Sequence, residues 1–503
     1  MDTGYKVSMS ITQPVPKSAV ERWHAESDVV VVGYGGAGAC VALEAKRGGA
    51  SVLILERASG GGGTTAMCGG HVYAGGGTSV QRACGFEDDA EQLFQYLMAC
   101  APFQDEAKAR RYANSSVAHF EWLREQGVPF NSNFHPHRTT LQLDDSCLVW
   151  TGNEYVWPFS TRAKAAPRGH KAAGPFDAGH LIMKALMGQV ERLGVPVVCD
   201  ARVESLVVDD DSVCGVVATQ FGERKAYRAR HGVVLTAGGF VMNHAMIRNH
   251  APDLAEHVIW HGSPGDVGDG VRLGMSAGGA AIHMSEVFVT LPFYPPESLT
   301  FGILVNATGQ RFINEDCYHA RIGHAAMHQP GGRVWLIVDD ASFGIPAINS
   351  DIHHLGRTDL QFEHVATEGS VAELETAIGL PAGALVHTVG QYNRWAAERQ
   401  DPLLHKTAKW LRPLEPPFAA LDCSLGKAPY IGFTLGGLST LPSGEVLDDA
   451  NAVVPGLYAA GRTTCGLPRW SGGYASGLSV ADATFFGREA GRTLAAAAAA
   501  VRG

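Results

Sequence analysis

Residues 29–32 are four consecutive valines that pass directly into Gly33-Tyr34-Gly35-Gly36-Ala37-Gly38. An uncharged β-branched run predicts a strand buried on both faces. Residues 39–47 then suit a helix, residues 51–55 a second apolar strand, and Glu56 closes that strand 23 residues after Gly33. Strand, glycine turn, helix, strand and acid in this register predict a nucleotide site. Gly33 permits the tight turn, Gly35 lets a pyrophosphate approach the backbone, and Gly38 lets helix and strand pack closely. The helix start offers free N–H groups and a positive dipole end to phosphates. Glu56 can accept hydrogen bonds from ribose hydroxyls.

The remaining features of the chain bound the class. At 503 residues it is too long for one core of usual size, so two domains are expected. Hydrophobic residues make up 46% and charged residues 18%, a globular composition. Net charge is −10 with no Lys/Arg block, which argues against a nucleic-acid surface. The ten cysteines lack any C-x-x-C spacing, so no cysteine-rich metal module is expected and free thiols in a reducing compartment are. The first 26 residues lack the apolar core of a secretory signal, and no stretch approaches the roughly 20 apolar residues that span a bilayer. The expected setting is cytoplasmic. The alanine run 495–500 most simply ends a C-terminal helix.

Three further segments bear on the nucleotide. Gly60-Gly61-Gly62-Gly63-Thr64-Thr65, followed by Gly69-Gly70, suits backbone N–H contacts to a pyrophosphate and flavin. Residues 233–239 (VVLTAGG) and 455–462 (PGLYAAGR) read as strands ending in small-residue turns, and a helix-like stretch, residues 478–490, follows Ser476-Gly477. This sequential set, from about residue 28 to residue 491, resembles flavoproteins of the succinate dehydrogenase/fumarate reductase group. The resemblance implies an α/β fold: a Rossmann-like FAD-binding domain (residues 27–282, completed by a return segment, 423–495) with an inserted α+β catalytic domain (283–422). It implies FAD as cofactor, held by Gly33, Gly35, Gly36, Ala37, Gly38, Glu56, Arg57, Gly63, Thr64, Thr65, Gly69, Gly70, Val203, Ala237, Gly238, Gly461, Arg462, Gly477 and Leu478. Residues 130–175 are polar and irregular, and suggest a flap or covering loop. His135 and His137 lie in it without the carboxylate–histidine framework of a metal site, so no metal is expected.

Residues 309–319 (GQRFINEDCYH) look like the G-x-R-F-x-N-E segment of the fumarate reductase group. In that group an arginine shortly afterwards delivers a proton. Here Tyr318 and His319 stand in that neighbourhood and Arg321 falls later. The group's H-T-x-G-G histidine, which holds a substrate carboxylate, is Phe433 here, before Thr434 and Gly436. A phenyl ring cannot pair with a carboxylate, so a larger, apolar, uncharged substrate is expected.

Tyr318, Tyr474 and Ser476 together resemble the active site of 3-ketosteroid 4-dehydrogenases, FAD enzymes that introduce a C4–C5 double bond into saturated 3-ketosteroids. That resemblance implies a steroid-like substrate contacted by Phe433, Thr434, Gly436 and Tyr294, proton loss to a tyrosine base, hydride transfer to the flavin, and an external electron acceptor. Tyr474 is read as the base, with Ser476 and Tyr318 as supporting hydrogen-bond groups; base and ketone-binding donor can exchange in this reading. Each residue also has a structural role open to it: Tyr318 in the core, Tyr474 as packing, Ser476 as helix N-cap. Three alternatives stand beside this one. They are a 3-ketosteroid 1-dehydrogenase, a reductase of enones or unsaturated acids, and a non-catalytic flavin-binding redox protein.

Overall fold

The computed structural model describes residues 13–139, 142–175, 177–294, 296–342 and 362–502. Residues 1–12, on which the reading of the N-terminus partly rests, lie outside the described residues.

The four valines do form the centre of a sheet. Strand Trp23–Val32 runs parallel to Val52–Leu55 on one side and to Glu223–Leu235 on the other. Alternation of side chains along a strand sends Val29 and Val31 into one core and Val30 and Val32 into another. The first core lies under the fingerprint helix Gly36–Arg47, helix Gly179–Arg192 and the C-terminal helix Leu478–Arg502. The second lies under the meander Ala201–Asp209, Ser212–Gln220, Glu223–Leu235. Among the described residues this sheet has nine strands. Strand Val453–Ala459 joins it from the far end of the chain, parallel to Glu223–Leu235. The C-terminal helix lies against the fingerprint helix through glycines: a Cβ on Gly487 would stand 2.6 Å from the carbonyl oxygen of Ala37.

A second body forms around an antiparallel sheet of Ile303–Asn306, Val334–Asp339, Phe418–Asp422 and Glu363–Glu368. Its ends are tied by a buried ion cluster from the G-x-R-F-x-N-E segment. Arg311 Nη2 lies 2.8 Å from Glu315 and 2.9 Å from Asp401, and Lys406 Nζ lies 3.3 Å from Glu315. Burial alone would raise the Glu315 carboxyl; Arg311 and Lys406 overcome it and hold the pKa down to about 2. Arg311 and Glu315 therefore pair with each other and fix the chain just before Tyr318.

Strand Val287–Thr290 of the middle region pairs with Ile431–Thr434 of the return segment, which also pairs with Ile259–Trp260. This small sheet straddles both expected domain borders, 282/283 and 422/423. The described residues of 130–175 do reach the site cavity, through Thr139, Val149, Trp150 and Thr151, but as folded structure rather than as an irregular loop. They supply three strands (Phe134–His135, Leu148–Val149, Gly169–Lys171) to a sheet with His71–Tyr73, and much of the segment is buried. Backbone pairing and packing within the fold, invisible in a polar local sequence, explain the difference. All ten cysteines are unpaired. No helix among the described residues is long and apolar enough to cross a membrane.

Candidate active site

The parallel strands, the small straddling sheet and the start of the C-terminal helix enclose one cavity of about 880 Å³. On one part of its wall the strand Trp23–Val32 ends at Gly33, which has φ +105°. Gly35 precedes the fingerprint helix without any side-chain cap, and a Cβ there would meet only Gly62 O, at 3.9 Å. Glu56 accepts hydrogen bonds from the backbone N–H of Tyr34 (2.7 Å) and Ala58 (2.8 Å). The Thr64 hydroxyl donates to Asp266, whose carboxyl is pushed up to about 6 by burial. Arg462 donates to the carbonyls of Leu435 (3.0 Å) and Thr464 (2.8 Å), while its buried Nε has no partner among the described residues. An uncapped helix start, open glycine surface, an acid and a spare guanidinium donor fit a flavin dinucleotide.

Most of the residues expected at the cofactor line this cavity: Gly33, Gly35, Gly36, Ala37, Glu56, Arg57, Gly63, Thr64, Thr65, Gly69, Val203, Ala237, Gly238, Gly461, Arg462 and Gly477. Gly38, Gly70 and Leu478 are not on its wall. Gly38 packs helix to strand, since a Cβ there would fall 2.1 Å from Gly33 O. Gly70 is pressed against Ala178, and Leu478 is fully buried in the core under the C-terminal helix.

The other part of the wall is aromatic. Phe288 and Phe433 stack with centroids 4.5 Å apart, and Tyr474 meets Phe288 edge-on, also at 4.5 Å. Tyr318 and Tyr474 lie in stacked orientation, 6.4 Å apart. Tyr294, largely buried but also on the wall, accepts the His319 backbone N–H at 3.1 Å. Burial pushes the His319 imidazole down to about 3, so it is neutral and adds no charge. Thr434 lines the cavity with its hydroxyl accepting from Phe240 N at 3.3 Å. Gly436 is not on the wall; a Cβ there would lie 2.3 Å from His283 O, so it serves packing. Arg321 does not line the cavity either: it donates to Gly472 O at 3.5 Å and lies over the Phe159 ring.

Tyr474 ends the short turn Ser471–Gly473 just before the C-terminal helix. Its hydroxyl donates to Ser479 Oγ (3.1 Å) and accepts from Ser479 N (3.4 Å). Burial raises its pKa; the Ser479 hydrogen bonds and the Arg462 charge oppose that rise. Tyr318 is raised well above the ordinary tyrosine range by burial, opposed by a hydrogen bond from Ser476. Gly477, at φ +87°, stands between Ser476 and the helix, and its carbonyl accepts the Ala481 N–H at 3.0 Å. The N-cap position is therefore Gly477 rather than Ser476, which leaves the serine hydroxyl for Tyr318. Phe288 and Ser479 are among the cavity residues not anticipated. Phe288 is signalled only by its apolar run beside Val287 and Val289, and Ser479 only by standing one turn after Tyr474.

Comparison with known proteins agrees with this architecture. The family model for an FAD binding domain matches residues 28–475. A 3-oxo-5-alpha-steroid 4-dehydrogenase from Comamonas testosteroni is 30% identical, over 88% of this chain and 93% of its own. The crystal structure of 3-ketosteroid-delta4-(5alpha)-dehydrogenase from Rhodococcus jostii RHA1, in complex with 4-androstene-3,17-dione, is 41% identical. It superposes with a TM-score of 0.88, covering 96% of this chain and 100% of that one. The 3-ketosteroid delta1-dehydrogenase from Sterolibacterium denitrificans shares the fold at TM-score 0.68 and 21% identity, over 94% of this chain and 100% of its own. The chain thus belongs to the FAD-binding flavoprotein family that contains the 3-ketosteroid 4-dehydrogenases, and it is an FAD-dependent oxidoreductase.

Proposed function

We propose that the protein desaturates a saturated 3-ketosteroid between C4 and C5. The observation that carries the reading is the pairing of Tyr474 and Tyr318 beside the stacked, uncharged rings of Phe288 and Phe433. FAD, when bound, supplies the acceptor for the hydride that leaves C5. Tyr474 takes the proton from C4, which the neighbouring ketone acidifies. Tyr474 must first lose its own proton to solvent; the Ser479 N–H and the positive end of the C-terminal helix then face the phenolate, which the C4 proton neutralises. The Ser479 hydroxyl, an acceptor while Tyr474 is neutral, can turn to donate. Tyr318, bonded to Ser476, is the second hydroxyl of the site and supports the ketone or the departing proton. Phe288 and Phe433 present a stacked apolar face to the ring skeleton. Residues 283–422 serve as the substrate-facing body, and an external acceptor reoxidises the cofactor. Ten unpaired cysteines suit a reducing compartment, and we place the enzyme in the cytoplasm.

Product analysis tests this reading: turnover of a 5α- or 5β-saturated 3-ketosteroid with an artificial electron acceptor should yield the 4-ene. A 1-ene product would move the protein to the 1-dehydrogenases. The pH dependence follows from the raised Tyr474 pKa. A base works deprotonated, so kcat/KM should climb with pH through the neutral and alkaline range, up to tenfold per unit, and level off only once the tyrosine ionises. A profile falling through that range would remove a tyrosine base.

A further inference from the structure

Tyr318 and Tyr474 come from elements 156 residues apart, yet one side chain holds the backbones of both. Asn153 Oδ1 accepts the Tyr318 N–H at 3.0 Å, and Asn153 Nδ2 donates to the Tyr474 carbonyl at 3.3 Å. Asn153 is completely buried and does not line the cavity. The turn that carries it is itself fastened: Glu154 accepts from the Thr151 hydroxyl (2.7 Å) and the Gly152 N–H (2.9 Å). Gly152, at φ +128°, lies so close that a Cβ there would stand 3.1 Å from Tyr318 Cα. The side-chain amide presents an acceptor to one segment and a donor to the other at once.

We propose that Asn153 is a positioning residue for proton abstraction: it sets the spacing of Tyr318 and Tyr474 by bridging their main chains. This rests on the reading of the two tyrosines given above. Each tyrosine stands at the edge of a helix or turn, Tyr318 preceding the helix His319–Met327 and Tyr474 following the turn Ser471–Gly473. At such edges backbone groups lack partners within the element. Asn153 supplies them, and its removal frees both tyrosines to shift relative to each other while the stacked Phe288 and Phe433 stay in place. A small displacement of reacting groups costs rate far more than binding.

The test compares wild type with Asn153→Ala and Asn153→Asp, all flavin-loaded, on a saturated 3-ketosteroid. The aspartate keeps the shape and the acceptor for the Tyr318 N–H but, ionised, loses the donor to Tyr474, so it carries the test should the alanine variant fail to fold. Both variants should hold flavin content and KM within about threefold of wild type while kcat falls roughly 10- to 100-fold. In a Tyr474→Phe background, Asn153→Ala should add less than about threefold, because the base it positions is already gone. Unchanged kcat in either folded variant, a rise in KM without loss of kcat, or fully additive losses would overturn the proposal. A wild type that leaves every 3-ketosteroid untouched would overturn the functional reading and this inference together. An active wild type with equally active variants would overturn this inference alone.

Discussion

Tyr474→Phe keeps its yellow flavin and loses most of its turnover, by about 10²- to 10⁴-fold, the range a positioned general base contributes. The substitution is clean because the ring remains. Tyr474 packs edge-on against Phe288 at 4.5 Å and Phe433 at 5.7 Å, and phenylalanine preserves both contacts. What is lost is one hydroxyl and its two hydrogen bonds to Ser479. That costs about 1 kcal/mol of stability, small against the whole fold. The Ser479 amide stands in the first turn of a 25-residue helix anchored by a buried core, so the helix persists. Flavin absorbance near about 450 nm, where the oxidised isoalloxazine is the chromophore, together with kcat, checks the prediction. Near-normal turnover would remove Tyr474 as base and pass that role to Tyr318.

Gly33→Ala abolishes flavin binding, with occupancy of the purified protein falling at least about tenfold, and also destabilises the apoprotein. At φ +105° an L-residue is strained, and the new Cβ would sit 2.6 Å from the carbonyl oxygen of Thr236 and 2.9 Å from its carbonyl carbon. Both are backbone atoms, and neither chain can give. Val32 and Leu235, one residue before each, are ladder partners in the parallel sheet. Strain at such a position costs about 1–3 kcal/mol. Gly35→Ala separates the two effects. Its Cβ meets nothing of the protein closer than 3.9 Å, so the apoprotein should unfold at the wild-type temperature while flavin affinity drops. Equal flavin content in Gly35→Ala and wild type would show that the pyrophosphate does not pass over this glycine.

The cofactor half of the site was legible because its signals are local. A four-residue strand, a glycine turn and an acid 23 residues on are contiguous in sequence, and sixteen residues expected on that basis and from the flavoprotein resemblance do line the cavity. The three that do not serve packing behind it: Gly38 of helix on strand, Gly70 against Ala178, and Leu478 in the core. Tyr318, Tyr474, Ser476, Phe433, Thr434 and Tyr294 were also legible, through departures from and likeness to family segments, and all line the same cavity. Long-range pairing hid the rest. Phe288 reaches the wall because its strand pairs with Ile431–Thr434, 144 residues later. Asn153 reaches both tyrosines from a polar stretch that reads as a loop. Gly436 read as a substrate neighbour because it follows Phe433 and Thr434, yet it turns into the packing against His283 and Met284. Glu315 and Arg311 carry a family motif, and their burial with Asp401 and Lys406 shows a structural use for it.

The central claim is that this aromatic cavity oxidises a saturated 3-ketosteroid with the bound flavin as acceptor. Anaerobic mixing of the flavin-loaded protein with one equivalent of a 5α- or 5β-saturated 3-ketosteroid tests it without any external acceptor. The account predicts loss of the absorbance near about 450 nm, with the 4-ene recovered in proportion to the flavin bleached, and a much slower bleaching in Tyr474→Phe. Unchanged absorbance with both 5α and 5β substrates, in protein shown to bind flavin, would contradict it.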